Sequence, residues 1–344
     1  VGTWRGGLSR FDPTQRRFET FGPLVDDRLN TLFEDAAGRL WVGTQGGVSV
    51  LDRGRRSFTH HRHQPGQPGS LSDSFAWVIA GDAAGAIWVG TDAGGLNRLD
   101  PVTGTWEAFP AASAPRGLPS NRVRALHFGP DGTLWIGTAG GLATLDSGRR
   151  VFRHWGEADG VPDAAVVDIV ADLAGRLWLS TGRGLCRLDP ATGEARLFTP
   201  SDGLQSNVFA GGSASRDAAG WIYVGGPNGF NLFDPAAVQS NTHVPPVVLR
   251  SISRQGRPVW FGTPLDRLER VELRHAESSF GIEFAALDFT NPARTRFRYV
   301  LEGFDRDWTD AGTRSFATYT HVSPGRYVFR VRGSHNDGVW TERG

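Results

Sequence analysis

The chain has 344 residues, with 37 basic and 36 acidic side chains and a formal net charge of +1. This balance excludes a global field that would attract nucleic acid or an anionic membrane. The single cysteine, Cys186, excludes an internal disulfide and a cysteine metal cage. The length is enough for one large or two ordinary domains, and the 46 glycines and 12 tryptophans favour an all-β protein with frequent turns.

One sequence unit recurs along the first two thirds of the chain. Its clearest copy is LWVGTQGGVSVLD at 40–52. The repeated aromatic residues are Trp41, Trp88, Trp135, Trp178 and Tyr223, at intervals of 47, 47, 43 and 45 residues. This period is typical of a four-stranded propeller blade. The sequence therefore predicts a β-propeller of about six blade units over 1–242, with the first and the last unit incomplete.

Each full unit is expected to contain four strands. In the copy that includes Trp135, the segments 121–128, 133–138, 141–146 and 151–155 predict the innermost, second, third and outermost strands. Both faces of such a sheet are apolar, because a blade packs between two neighbours. We therefore expect the repeated aromatic residues to be buried between blades.

The pattern changes after the last copy, and the prolines of 243–249 mark a boundary. Residues 243–344 then show ordinary strand alternation. In 296–303, for example, Phe297, Tyr299 and Leu301 fall on one face of a strand. About a hundred residues with this pattern predict an Ig-like or fibronectin-like β-sandwich, which we expect to be truncated at its C-terminus.

The repeat resembles the two-component-regulator propeller repeat. The tail, YVLEGFDRDW at 299–308 together with 317–340, is similar to the triple-tyrosine (Y_Y_Y) domain that follows such propellers. The copy at 220–235 fits the closing blade of that family, while STGRG at 180–184 departs from its GTxGG pattern. The resemblance implies the periplasmic or extracytoplasmic sensor region of an inner-membrane receptor. It also implies a transmembrane helix and a histidine kinase or another output domain in the parent protein.

The chain contains no methionine and opens inside a copy of the repeat, at 1–13. We therefore expect an internal fragment of a longer, membrane-anchored protein. A complete propeller ring is expected to need residues upstream of Val1.

Catalytic, metal and cofactor chemistry have weak support. The hairpin before each repeated aromatic residue is similar to the Asp box of sialidase propellers, but its spacing differs. The propeller's single tyrosine, Tyr223, belongs to the aromatic column rather than to a nucleophile site. His60 and His63 lack a second cluster that would complete a metal site, so a solvated outer strand is the plainer interpretation. The glycine-rich turns precede strands, which argues against a nucleotide site. We expect no catalytic residue, metal, cofactor or nucleic-acid partner.

Candidate binding residues come from two inner-strand columns that vary while the rest of the repeat stays constant. When the copies are aligned on their turn glycines, one column reads Asn30, Trp77, Arg124 and Val167. The column two residues earlier reads Arg28, Phe75, Arg122 and Ala165. A propeller builds a pocket on its face from such positions, although exposed positions that drift freely are the alternative. The predicted ligand-binding residues are Arg28, Asn30, Trp77, Arg122 and Arg124.

The function that we expect is non-catalytic sensing of a small-molecule or oligosaccharide ligand. The alternatives are a propeller scaffold for protein–protein binding, and a hydrolase or lyase acting on saccharides. We expect the C-terminal domain to couple the propeller to the membrane as a homodimer, since a receptor without a catalytic site reports binding through a change of arrangement. The side chains expected to face the partner copy are Arg296, Arg298, Arg330 and Arg332.

Overall fold

The computed structural model describes residues 1–148, 151–162, 164–238, 246–254, 256–263, 265–268, 270–274, 279–287, 292–334 and 340–341. The chain divides into two compact units, Val1–Ala237 and Val238–Gly344, which we call the propeller unit and the sandwich unit. The predicted all-β fold is confirmed. The predicted domain boundary between 242 and 243 lies outside the described residues.

The propeller unit consists of antiparallel sheets in simple chain order. A three-stranded N-terminal sheet comes first, four complete blades follow, and a three-stranded C-terminal sheet comes last. The N-terminal sheet contains β1 (Gly2–Thr3), β2 (Gly7–Asp12) and β3 (Arg17–Phe21). Blade 1 contains β4 (Leu29–Glu34), β5 (Leu40–Thr44), β6 (Val48–Leu51) and β7 (Phe58–His61). Blade 2 contains β8 (Ala76–Gly81), β9 (Ile87–Thr91), β10 (Leu96–Leu99) and β11 (Trp106–Phe109).

Blade 3 contains β12 (Val123–Phe128), β13 (Leu134–Thr138), β14 (Gly141–Leu145) and β15 (Phe152–Trp155). Blade 4 contains β16 (Val166–Ala171), β17 (Leu177–Thr181), β18 (Gly184–Leu188) and β19 (Ala195–Phe198). The C-terminal sheet contains β20 (Ala214–Arg216), β21 (Ile222–Gly226) and β22 (Gly229–Phe233). Short 3-10 turns occur at Glu157–Asp159 and Pro200–Asp202. The predicted strands of blade 3 are confirmed to within two residues at their ends.

The repeated aromatic residues form the core between blades. Trp41, Trp88, Trp135 and Trp178 are between 0% and 5% exposed. Each side chain faces the following blade: Trp41, for example, packs with Ile79 and Ile87 of blade 2. Truncating a tryptophan in such a core costs about 3–5 kcal/mol.

Tyr223 corrects the prediction that all five aromatic positions are buried, because it is only half-buried. It occupies the equivalent place in β21, where it pairs with Leu232, on the side where the following blade would pack. Within the described part of the propeller unit, no sheet covers that side. Phe230 and Leu232 on the same strand face are accordingly 66% and 46% exposed.

A carboxylate fixes the position of most of these aromatic residues. Asp35 precedes Trp41 by six residues, caps the intervening hairpin turn at the backbone N–H of Ala37 and Arg39, and accepts the indole N–H at 2.8 Å. Asp82, Asp172 and Asp217 bond Trp88, Trp178 and Tyr223 in the same way. In blade 3, Gly129 occupies the place of this Asp, six residues before Trp135. This Asp–aromatic contact is part of the repeated fold, and the Asp six residues before the aromatic residue is readable in the sequence.

One histidine of the outer strand of blade 1, His61, packs against neighbouring aromatic rings. The His61 ring stacks on Trp41 with centroids 5.8 Å apart and meets Trp106 edge-on at 5.4 Å. Burial lowers the pKa of His61, and His60 and Arg39 lower it further. His61 is therefore a packing residue between blades 1 and 2, whereas His60 and His63 are exposed, as the sequence predicts.

The sandwich unit contains two antiparallel sheets in the orders β24-β23-β25-β28 and β27-β26-β29. The first contains β23 (Val247–Arg254), β24 (Arg257–Pro258), β25 (Phe280–Ala286) and β28 (Phe316–Tyr319). The second contains β26 (Arg296–Glu302), β27 (Thr309–Gly312) and β29 (Val328–Ser334), and 3-10 turns occur at Leu265–Arg267 and Pro292–Arg294. Both sheets contribute to one core, which includes Phe284, Phe297, Tyr299 and Tyr319.

Candidate ligand-binding face of the propeller

Every full blade carries a β-bulge at the same place on its inner strand. The strand pairing shifts between Leu29 and Thr31 in blade 1, and at the equivalent positions in the other three blades. A bulge leaves one residue outside the ladder and redirects its side chain. The four bulged residues are Asn30, Trp77, Arg124 and Val167, which together form the first of the two variable columns.

The second variable column is fixed by a repeated backbone hydrogen bond. The carbonyl of each of its residues accepts an N–H from the residue that follows the second strand of the same blade. The donor–acceptor pairs are Gln45 to Arg28 at 3.2 Å, Asp92 to Phe75 at 3.0 Å, Ala139 to Arg122 at 2.9 Å and Gly182 to Ala165 at 3.0 Å. The structure therefore confirms the alignment of both columns, which lie at the same end of the inner strands.

Three predicted residues meet around one carboxylate, that of Asp92. The Trp77 indole Nε1 donates to its Oδ1 at 2.8 Å. Arg122 reaches the same oxygen with Nε at 2.9 Å and reaches Oδ2 with Nη2 at 3.3 Å. Phe75 packs beside Trp77 with ring centroids 4.7 Å apart. Blades 2 and 3 thus build one cluster of two aromatic rings, a carboxylate and an arginine.

Arg124 completes this cluster by stacking rather than by hydrogen bonding. Its guanidinium carbon lies 3.8 Å from the centroid of the Trp77 ring. Its Nη2 lies 3.8 Å from Asp92 Oδ1, which is beyond hydrogen-bond distance, and a quarter of the side chain is exposed. Burial lowers the pKa of Arg124, Asp92 opposes this change and Arg122 adds to it. We call Phe75, Trp77, Asp92, Arg122 and Arg124 the Trp77 cluster.

The other two predicted residues are engaged within the fold. Asn30 donates through Nδ2 to the carbonyl of Ala76 at 2.9 Å, which ties blade 1 to blade 2 next to Trp77. Arg28 forms a two-pronged ion pair with Asp26, at 3.0 and 2.6 Å, and this hydrogen bonding holds the pKa of the Asp26 carboxyl below its usual range. Their role as ligand contacts stays a prediction.

Asp168 in β16 is a buried polar residue that the sequence analysis missed. Its carboxylate accepts the backbone N–H of Gly212 at 2.8 Å and of Ser213 at 3.2 Å, in the segment that leads into β20. Burial raises its pKa to about 6, against the opposing effect of these hydrogen bonds. The sequence does distinguish this position, because the other blades carry the uncharged residues Thr31, Val78 and Ala125 there.

Two surface cavities lie away from the Trp77 cluster. One of about 410 Å³ is lined by Arg153, Trp155 and the turn at Pro190, and one of about 330 Å³ is lined by Trp41, His61 and the turn at Pro101. Neither contains a predicted binding residue. Among the described residues, no three His, Cys, Asp or Glu side chains are grouped to hold a metal ion. No described helix is long and apolar enough to cross a membrane.

The fold and this cluster define a class: an all-β chain with a propeller of four-stranded blades, followed in sequence by a β-sandwich. Comparison with known families identifies the modules. The two component regulator propeller model matches residues 23–46 and 117–140, and the Y_Y_Y domain model matches residues 288–344. The predicted resemblance is confirmed by these matches.

Solved structures share the fold over nearly the whole chain. The extracellular domain of a putative hybrid two component system from B. thetaiotaomicron is 22% identical with a TM-score of 0.53, and covers 99% of this chain and 52% of its own. A second such domain from the same organism is 21% identical with a TM-score of 0.55, over 98% of this chain and 47% of its own. The chain thus spans about half the length of these neighbours.

A curated relative is Histidine kinase P4 of Formosa agariphila. It is 27% identical over 154 residues, which are 43% of this chain and 11% of the relative. The match therefore concerns a small part of a much longer protein.

Proposed function

We propose that this chain is the extracytoplasmic ligand-sensing module of a transmembrane signal-transduction receptor and is itself non-catalytic. The two family models support the sensor role. The similar solved structures are extracellular domains of two-component systems, and the curated relative is a histidine kinase. The parent protein would sit in the inner membrane, with this module on the periplasmic side and a kinase or another output domain beyond it.

The observation that carries the proposal is the departure from the repeat at the bulge. Elsewhere the blades preserve their aromatic, glycine and threonine positions, while the bulged residue changes from Asn30 to Trp77 to Arg124. Packing does not require this variation, since the same backbone bulge forms with all of these side chains. Varied side chains on a rigid, repeated frame are the usual way in which a scaffold carries a binding site.

A thermal-shift screen tests this proposal. Purified protein is heated with a panel of neutral oligosaccharides, acidic oligosaccharides and small organic acids, since a compound that binds the folded state raises the Tm. We expect at least one compound to raise the Tm of the wild type but not of Trp77→Ala. Arg10→Ala is the control, because Arg10 is an exposed residue of the N-terminal sheet that pairs with Glu19 and lies over the Phe21 ring. A panel that shifts neither protein, or a shift that Trp77→Ala retains, contradicts the proposal.

The sandwich unit is proposed to transmit the signal as a homodimer. Two of its predicted contact arginines are held in place: the exposed Arg330 pairs with Glu302 at 2.6 Å, and the half-buried Arg332 stacks over Trp308 at 4.6 Å. This fixed, charged face is suited to a specific contact with a second copy. Charge reversal at Arg330 and Arg332 should leave ligand binding intact and abolish output in the full receptor. Unchanged output would contradict this role.

A protein-binding scaffold is the second candidate. It is favoured by the uncovered aromatic residues at both ends of the propeller unit. Phe11 and Phe18 pack on each other at 5.0 Å yet are 45% and 63% exposed, and Phe230 is 66% exposed. Exposed apolar side chains of this kind mark contact surfaces for further protein. A scaffold would bind its partner through these ends, and Trp77→Ala would leave that binding unchanged.

A further inference from the structure

The Arg124 guanidinium has unused hydrogen-bond donors. Arginine carries five N–H donors in a planar fork. Both Asp92 oxygens already accept from Trp77 or Arg122. In the described part of the chain, no hydrogen bond is formed by the Arg124 guanidinium. A quarter of the Arg124 side chain is exposed, so these donors are accessible to an incoming acceptor.

The stacking on Trp77 holds these donors in a defined plane. The guanidinium lies over the indole at 3.8 Å, and the indole is itself held by its hydrogen bond to Asp92. A guanidinium fixed in this way presents a two-pronged edge that matches a carboxylate, and little side-chain entropy remains to be lost. Two guanidiniums share one carboxylate in the cluster, so a second anion is electrostatically favoured beside them.

An apolar surface lies next to this anion position. Phe75 and Trp77 are tilted by 33° with centroids 4.7 Å apart, and both are only partly buried. Such a pair offers a ring face to a ligand that lies against it. The cluster therefore combines a planar oxyanion position with an aromatic surface.

We propose that the Trp77 cluster binds a carboxylate-bearing ring ligand, with its carboxylate on Arg124 and its ring against Phe75 and Trp77. This inference rests on the proposed sensing function and specifies the chemical class of the ligand. Acidic sugar rings and aromatic acids share this chemistry. A neutral ligand of the same shape leaves the Arg124 donors without an acceptor and binds more weakly.

Arg153 provides a matched control within the same chain. Its guanidinium also stacks on an indole at 3.8 Å, that of Trp155. Unlike Arg124, it bonds a carboxylate directly, Asp159 at 2.6 Å. Arg153 therefore has the same stacking geometry with its acceptor already supplied, and it should not recruit an external anion.

Titration with benzoate and its neutral isostere benzamide tests the inference, with the indole N–H resonance of Trp77 as the reporter at constant ionic strength. We expect a saturable shift with benzoate and at least a tenfold weaker response with benzamide. Arg124→Gln should remove the difference between the two probes, Arg124→Lys should restore it only in part, and Arg153→Gln should preserve it. Equal responses to both probes, no response to either, or a benzoate response that survives in Arg124→Gln would overturn the inference.

The benzoate titration and the thermal-shift screen can fail independently of each other. If the thermal-shift panel yields a neutral ligand whose binding is lost in Trp77→Ala and retained in Arg124→Gln, sensing at this face stands and the carboxylate assignment fails. If benzoate discriminates as expected while no panel compound binds, the oxyanion position stands and the sensing proposal fails.

Discussion

The Arg124 guanidinium and the Trp77 indole stack at 3.8 Å although they belong to different blades. Both are bulged residues of their inner strands, so the same backbone irregularity directs them toward each other. Asp92 anchors the indole and Arg122. A repeated frame thus produces a non-repeated cluster, as the proposed sensing function requires.

Loss of an Asp that caps a blade hairpin should destabilise the propeller unit. Asp172 is 5% exposed, and it accepts hydrogen bonds from the Trp178 indole and from the backbone of Ala174 and Arg176. Asp172→Ala leaves these donors unpaired and should lower the free energy of unfolding by about 2–4 kcal/mol. Chemical denaturation measures this. Asp12→Ala, which removes only turn bonds on the surface, should cost about 1 kcal/mol or less.

Blade 3 can be brought to the pattern of blades 1 and 2. Gly129 stands where they carry the capping Asp, and Asp131 stands where they carry Ala37 and Ala84. The double variant Gly129→Asp with Asp131→Ala gives the Trp135 indole a carboxylate acceptor, and removing Asp131 makes room for the new side chain. It should be more stable than Asp131→Ala alone by about 1 kcal/mol. Equal midpoints of denaturation would show that the Asp–indole contact contributes nothing to blade stability.

Asp168 should make stability depend on pH. Burial raises its folded-state pKa to about 6, from 3.8 in the unfolded chain. A raised carboxyl pKa stabilises the folded state below pH 3.8, and this stabilisation is lost as the pH rises through about 6. The wild type should therefore lose up to about 3 kcal/mol relative to Asp168→Asn between pH 4 and pH 7. Parallel pH profiles of the two proteins would contradict the raised pKa.

A buried tyrosine hydroxyl ties together the sandwich unit. Tyr319 donates to Asp305 at 2.7 Å, and the same carboxylate oxygen accepts the Leu301 N–H at 2.7 Å. Tyr319→Phe should lower the free energy of unfolding by about 1.5–3 kcal/mol, because the acceptor is charged. Tyr327→Phe is the control, since its hydroxyl bonds the Ser323 carbonyl at an exposed site. Equal losses in the two variants would contradict a special role for the Asp305 bond.

The sequence was informative wherever the repeat is strict. The spacing of Trp41, Trp88, Trp135 and Trp178 predicts their common burial, because identical local sequence gives identical blades. Alignment on the turn glycines also predicts the two variable columns correctly, since the turn fixes the strand register. Burial of Tyr223 was predicted wrongly because it depends on a neighbouring sheet, which a local pattern does not encode.

Contacts between residues that are distant in the sequence could not be predicted from the repeat pattern. Asp92 was not singled out, because its role depends on Trp77 and Arg122 approaching from two different inner strands. The departure of Asp168 from the repeat is visible in the sequence, but its partners, which are backbone groups 44 and 45 residues away, are not. The sequence places His61 on an outer strand, but only the structure shows that its ring contacts Trp41 and Trp106.

The most direct test of ligand sensing at the propeller face is calorimetric titration with the compound that raises the Tm most in the thermal-shift panel. The account predicts that Trp77→Ala weakens its affinity at least tenfold, equivalent to about 1.4 kcal/mol, while Arg153→Gln leaves the affinity unchanged. An affinity unchanged in Trp77→Ala would contradict the account and place the binding site elsewhere on the chain.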